Sequence, residues 1–247
     1  MSKKLKELCL RLNLKTVLNH LPQTLETAAQ KNWTPLQIME HLFDLEYQAK
    51  QQRRKAMLLK KSQLPFTPTV DQFNFQFHPS RKRQKSLTLQ LMDLEFIDQK
   101  KDIIFIGPPG TGKTFLVNCI GYASTQAGIK TLFTTAMDMI NHLIAAEADH
   151  SLLKMLKIYQ EPDLLICDEI GYLPLGTQGS NLFFQVISAR HERKSTILTT
   201  NLPFAKWGTI FDSTIVATAI ADRLVYNSEV IIFEGKSYRT RDNHKKI

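Results

Sequence analysis

Cysteine is scarce in this chain. There are three among 247 residues, Cys9, Cys119 and Cys167, far apart, odd in number and without a CxxC pair. That excludes a disulfide-stapled scaffold and a cysteine-built metal centre, and it fits a reducing, cytoplasmic setting. The seven histidines are scattered without ligand spacing, so no structural zinc is expected. Long apolar runs are missing too. Residues 1–30 interleave charged and apolar side chains, so neither a secretion signal nor a membrane span is expected. There is no internal repeat and no low-complexity tract. Hydrophobic residues still make up 43 % of the chain, enough for one ordinary core and a smaller appendage.

Acidic residues are also short, but only locally. Residues 1–85 hold 16 Lys and Arg against 6 Asp and Glu, whereas residues 86–247 hold 16 against 17. The net charge of +9 therefore lies in front of residue 86. Its clusters are Arg53-Arg54-Lys55, Lys60-Lys61 and Arg81-Lys82-Arg83 with Lys85. They make a polyanion the natural partner, nucleic acid foremost, with a solvated helix face as the alternative reading.

Glycine numbers only 10, yet three fall inside Gly107-Pro108-Pro109-Gly110-Thr111-Gly112-Lys113-Thr114. This run directly follows the apolar stretch Ile103 to Ile106, the strand-to-helix setting in which such a loop binds phosphate. The glycines let the backbone aim successive N–H groups at an anion, and the helix beginning near Lys113 adds its positive end. Lys113 is expected on the β and γ phosphates and Thr114 on a magnesium ion, making ATP with Mg2+ the implied ligand pair.

Before this loop, residues 1–61 read as a small basic helical domain. Leu5, Leu8 and Leu12 recur at helical spacing, and after a break near Asn13 the pattern resumes at Val17, Leu18 and Leu21. Thr34-Pro35-Leu36-Gln37 carries a cap, a first-turn proline and the partner of a capping box. From there Leu36, Met39, Leu42, Phe43 and Tyr47 form an apolar stripe, predicting a packed bundle. Residues 62–86, with Pro65, Pro68 and Pro79, read as a docking linker. Its Phe66, Phe73, Phe75 and Phe77 suit either packing against the core or contact with an adenine ring.

Residues 87–247 alternate helix and strand. Strands are predicted at Ile103 to Ile106, Thr131 to Thr135, Leu164 to Cys167, Thr196 to Thr200 and Val230 to Phe233. The fold class is α/β, a doubly wound parallel sheet with its ligand at the carboxyl ends of the strands. The third strand delivers Asp168 and Glu169 at that edge, Asp168 to hold magnesium and Glu169 to polarise the attacking water. Asn201, after the fourth strand, can position that water or simply turn the chain before Pro203. Arg223 is the candidate cation for the leaving phosphate, with Arg239 and Arg190 as competitors. The stretch from Met137 to Tyr159 is long for a crossover, and its Lys154 and Lys157 are either DNA contacts or a solvated face.

The phosphate loop also belongs to a larger set of signatures. With Asp168-Glu169-Ile170-Gly171-Tyr172-Leu173-Pro174, Asn181 to Ile187, Ser195 to Phe204 and Gly235 to Arg239, it resembles the IstB family. These are helper ATPases of insertion-sequence transposition, similar in turn to helicase loaders of the DnaC type within the AAA+ superfamily. The resemblance implies a P-loop AAA+ core over 87–247. It also implies homo-oligomers on double-stranded DNA, bending of that DNA, and recruitment of a cognate, IstA-like transposase. By motif position Lys113 and Thr114 look like Walker A, Asp168 and Glu169 like Walker B, Asn201 like sensor 1 and Arg223 like the arginine finger. Eight residues follow Arg239, too few for the usual helical lid, so no C-terminal lid domain is expected. Arg239 is then expected either to approach the phosphates from the core or to stabilise the terminal strand. A replicative helicase loader and a static ATP-binding module are the competing functional readings.

Overall fold

The computed structural model describes residues 2–238. The chain divides between Met57 and Leu58 into two compact units. The first contains α1 (Lys3–Arg11), α2 (Lys15–Lys31) and most of α3 (Pro35–Lys61). Asparagines at the breaks take the left-handed conformation, Asn13 with φ 54° and Asn32 with φ 52°, which asparagine tolerates better than most residues. The capping box at the start of α3 forms reciprocally. Gln37 N–H donates to Thr34 Oγ1 at 3.3 Å, and Thr34 N–H donates to Gln37 Oε1 at 2.8 Å. Cys9, Val17, Leu21 and Leu42 make a small core. Buried Glu46 ties α3 to the first turn of α2, accepting from the Thr16 and Val17 amides at 2.7 and 3.1 Å and from Arg53 at 2.9 Å.

One expectation for this unit is corrected. Of the predicted stripe on α3 only Leu42 is buried, whereas Leu36, Met39, Phe43 and Tyr47 are exposed. Helical spacing identifies a shared face but does not supply a partner to cover it.

The second unit starts with the last turn of α3. The Ser62 carbonyl accepts from Phe133 N–H at 2.7 Å. Residues 62–86 fold into two 3₁₀ turns, Val70–Gln72 and Phe75–Phe77, followed by α4 (Pro79–Arg83). Phe73 and Phe75 join the core, the packing alternative of the two left open by the sequence. Next come α5 (Lys85–Gln90) and α6 (Glu95–Asp98).

Five parallel strands follow, with order β2-β3-β4-β1-β5. They are β1 (Asp102–Ile106), β2 (Thr131–Thr135), β3 (Leu164–Ile170), β4 (Ser195–Thr200) and β5 (Ser228–Ile232). The helices between them are α7 (Lys113–Gln126), α8 (Ala136–Ala148), α9 (Leu152–Gln160), α10 (Gly176–Arg190) and α11 (Thr214–Tyr226). The long stretch from Met137 to Tyr159 is thus two helices, and Lys154 and Lys157 on α9 are exposed.

Strand alternation splits the core in two. Ile103, Phe105, Ile166 and Ile197 face α7 and the Phe73–Phe75 segment, whereas Ile104, Leu165, Cys167 and Leu198 face α8, α9, α10 and α11. β1 sits inside the sheet, and its connection through α7 passes over β4 and β3 to reach β2 at the edge. The loop leaving β1 therefore opens beside the carboxyl ends of β3 and β4, where such sheets form a crevice. Among the described residues no helix is long and apolar enough to cross a membrane.

Candidate nucleotide site

The phosphate loop joins β1 to α7 and wraps on itself. Gly110 and Gly112 have φ of 77° and 99°, values that side-chain-bearing residues rarely adopt. A Cβ on Gly110 would lie 2.0 Å from Ser237 Oγ, and one on Gly112 would lie 2.5 Å from the Phe73 ring. Lys113 Nζ reaches back over the loop to the carbonyls of Gly107 at 2.7 Å and Pro108 at 3.1 Å. Thr111 Oγ1 also donates to the Pro108 carbonyl, at 2.9 Å.

At the adjacent strand ends the acids take different paths. Asp168 is 2 % exposed and accepts from Thr114 Oγ1 at 2.9 Å and from Thr199 Oγ1. Glu169 would point to the opposite face of an unbroken strand. Instead the β3–β4 register shifts between Cys167 and Ile170, and Glu169 takes φ 63°. Its N–H donates to Thr199 Oγ1 at 3.0 Å, and its exposed side chain lines the same cavity as Lys113 and Thr114. A left-handed non-glycine residue is costly, and such strain concentrates at functional sites. Thr199 thus fixes both acids from the neighbouring strand, a role carrying no sequence signal beyond a register position on β4.

The cavity has a volume of about 310 Å³. One wall carries Gly110, Gly112, Lys113 and Thr114, and another carries Glu169, Thr200 and Asn201. Asn201 Oδ1 is buried without a hydrogen-bond partner among the described residues. A third wall is aromatic, with Phe66, Phe73 and Phe115 beside Tyr238 and Arg81. The sequence counted Arg81 only within a basic cluster and Tyr238 only within a terminal signature, because each is brought to the loop from a segment outside it; Arg81, 3 % exposed, is buried rather than part of a solvent-facing basic cluster, which corrects its place there.

The candidate arginines separate. Arg190 is fully buried: Nε donates to Thr196 Oγ1 at 3.1 Å, and the guanidinium nitrogens reach the Tyr159, Gln160, Pro162 and Ser195 carbonyls. With every arm engaged in the fold it is not available to a phosphate, which corrects its place among the competitors. Burial lowers its pKa, against the opposing field of Asp102. Arg223 lies outside the cavity lining. It donates to its own helix at Ala219 O, 2.9 Å, and stacks at 4.7 Å over the Phe184 ring. Arg239 lies outside the described residues.

A phosphate loop between β1 and α7, beside paired acids on a five-stranded parallel sheet, defines the class as a P-loop ATPase. The IstB-like ATP binding protein model matches residues 7–246, and the chain belongs to that family. It is 38 % identical over 242 residues to the insertion sequence IS5376 ATP-binding protein of Geobacillus stearothermophilus, covering 98 % of this chain and 96 % of that one. It is 35 % identical over 235 residues to the IS232 ATP-binding protein of Bacillus thuringiensis subsp. berliner, covering 95 % and 93 %. Among solved structures, the DnaC helicase loader superposes with TM-score 0.59 at 22 % identity, over 67 % of this chain and 96 % of that one. AMPPCP-bound DnaA from Aquifex aeolicus gives 0.58 at 17 %, over 74 % and 56 %. These structural likenesses concern the fold.

Proposed function

We propose that this ATPase is a transposition helper that uses ATP occupancy to control its own assembly on duplex DNA, and there recruits and stimulates a transposase. The observation that carries the reading is the meeting of Thr114 with Asp168 beside the phosphate loop, in a chain whose relatives are ATP-binding proteins of insertion sequences.

In this reading the loop amides and Lys113 bind the β and γ phosphates, Lys113 exchanging its loop carbonyls for phosphate oxygens. Thr114 and Asp168 offer two hard oxygen donors 2.9 Å apart, a set suited to Mg2+. Bound there, the ion would neutralise charge on the phosphate oxygens. Glu169, aimed into the cavity by the bulge, accepts a proton from the attacking water, and the orphaned amide of Asn201 orients that water. Arg223 does not line its own cavity, and we assign it to the site of a neighbouring subunit, which would make turnover depend on assembly. The aromatic wall receives the base. Residues 1–61 act as a basic helical domain, 62–86 as the docking segment and 87–247 as the ATPase domain. The surplus of positive charge before residue 86 grips the DNA backbone without reading its sequence.

Imaging and sedimentation of the protein with duplex DNA and a non-hydrolysable ATP analogue test the reading. Nucleotide-dependent assembly on DNA is expected, and Lys113→Ala is expected to prevent it. Assembly that is identical with and without nucleotide would refute the proposal. Capture of a replicative helicase, with no effect on a transposase, would favour the loader alternative.

A further inference from the structure

Arg81 has no part in the nucleotide chemistry assigned above, yet it is a buried charge that contacts the phosphate loop. It is 3 % exposed, and among the described residues none of its partners is a carboxylate. Its guanidinium lies 4.6 Å from the centre of the Phe73 ring, 5.0 Å from Phe77 and 4.9 Å from Tyr238. Its nitrogens donate to the Asn74 carbonyl at 3.2 Å and to the Thr111 carbonyl, inside the phosphate loop, at 2.7 Å. A second outside contact falls one residue earlier, where Tyr238 N–H donates to the Gly110 carbonyl at 2.8 Å.

The two segments supplying these contacts are joined to each other. Ser80 Oγ donates to the Glu234 carbonyl at 2.9 Å, and Arg83 pairs with the Glu234 carboxylate at 3.1 Å. The His78 ring lies so close to Gly235 that a Cβ there would sit 2.4 Å from Nε2. The stretch before α5 and the stretch after β5 therefore hold each other and the loop together as one clamp.

We infer that Arg81, with the Tyr238 amide, is a positioning residue that sets the direction of the phosphate-loop amides. In a trans peptide the N–H points opposite to the C=O. Holding the Gly110 carbonyl against the clamp turns the Thr111 N–H away from it, and holding the Thr111 carbonyl there does the same for the Gly112 N–H. Two of the donors that an anion needs are thereby preset, and loop ordering is removed from the cost of binding. The aromatic box holds the guanidinium flat, and the fork spans two carbonyls that an ammonium could not bridge in the same way. The inference rests on the proposed phosphate site.

Calorimetric titration of wild type, Lys113→Ala, Arg81→Ala and Arg81→Lys with ATP, GTP and inorganic tripolyphosphate tests it. Arg81→Ala is expected to weaken all three ligands by a similar factor, on the order of tenfold, since the loss lies in the loop and not at the base. Arg81→Lys keeps the charge and one donor, and is expected to lose about threefold. Loss confined to ATP would make Arg81 a reader of the base and overturn the proposal. Unchanged affinities with a lowered unfolding temperature would reduce it to a structural residue. Should Arg81→Ala fail to fold, Arg81→Lys decides, and affinity equal to wild type overturns the idea. A wild type that binds tripolyphosphate no better than Lys113→Ala would instead sink the phosphate site itself.

Discussion

The Thr114 hydroxyl donates to the Asp168 carboxylate at 2.9 Å, joining the first turn of α7 to the end of β3 across 54 residues of sequence. Neither group needs the other for folding, since Asp168 also accepts from Thr199. In the proposed site the pair would serve as two oxygen ligands held at contact distance until a cation separates them. Thr114→Ala is therefore expected to raise the Mg2+ concentration needed for half-maximal ATPase activity by about tenfold or more, with little change in urea stability. A magnesium titration of phosphate release checks it, and an unshifted titration curve would remove Thr114 from the metal site.

Glu169 is exposed and makes its hydrogen bond through the backbone, so changing its side chain leaves the Thr199 contact intact. Glu169→Gln is expected to bind ATP as wild type does and to lose turnover by about 10²- to 10⁴-fold, the usual range for removing a general base. Nucleotide titration alongside steady-state phosphate release separates the two quantities. Equal turnover in the variant would mean that another group activates the water.

The local part of this architecture was legible in the sequence. All five strands begin within two residues of their predicted starts, because each is a short run rich in β-branched and aliphatic residues. The reciprocal Thr34–Gln37 cap was readable for the same reason, since its partners lie three residues apart. What could not be read depends on long-range contact. Arg190 looks like any surface arginine until its carbonyl partners 28 to 31 residues away are known. The left-handed turn of Glu169 is imposed by pairing with β4, and the clamp around Arg81 joins segments more than 150 residues apart. The stripe on α3 was visible as a pattern, but spacing does not supply the partner that would cover it.

Arg190 offers a stability test free of the nucleotide site. Its removal would leave several buried carbonyls without this donor and Asp102 without the field of its guanidinium. Arg190→Met, similar in length and apolar, is expected to cost about 3–5 kcal/mol, the range for breaking a buried charged network. Urea denaturation measures it. A loss below about 1 kcal/mol would show that water or a shifted strand end replaces the guanidinium.

Asp102, at the amino end of β1, makes one contribution to the pH dependence of stability. Burial pushes its pKa up from 3.8 to about 7, against the lowering effect of the Thr196 amide and Arg190. The folded protein thus keeps a proton that the unfolded chain releases near 3.8, so folding takes up a proton across that window. Stability from this group is full below the window and is lost as pH rises through about 7. Asp102→Asn keeps an acceptor for the Thr196 amide and does not titrate. Between about pH 5 and pH 8 it is expected to gain roughly 3 kcal/mol on wild type. Parallel urea curves for the two proteins would contradict the assignment.

The basic surplus before residue 86 makes a quantitative prediction about DNA. Each phosphate neutralised on a duplex contributes about −0.9 to the slope of log affinity against log salt. Arg53 is a poor residue to test, because it pairs with buried Glu46 at 2.9 Å and its loss would disturb the first unit. Lys60 and Lys61 are exposed and lie on the same helix. Replacing these two by Gln in the full chain is expected to flatten the slope by about 1 to 2 while leaving unfolding unchanged. Replacing Lys154 and Lys157 on α9 instead should leave the slope within about 0.5 of wild type. Fluorescence anisotropy over a range of salt distinguishes the cases. A slope that responds only to the α9 pair would move the DNA grip from the amino-terminal charges to the ATPase unit, and with it the route by which nucleotide state reaches the duplex.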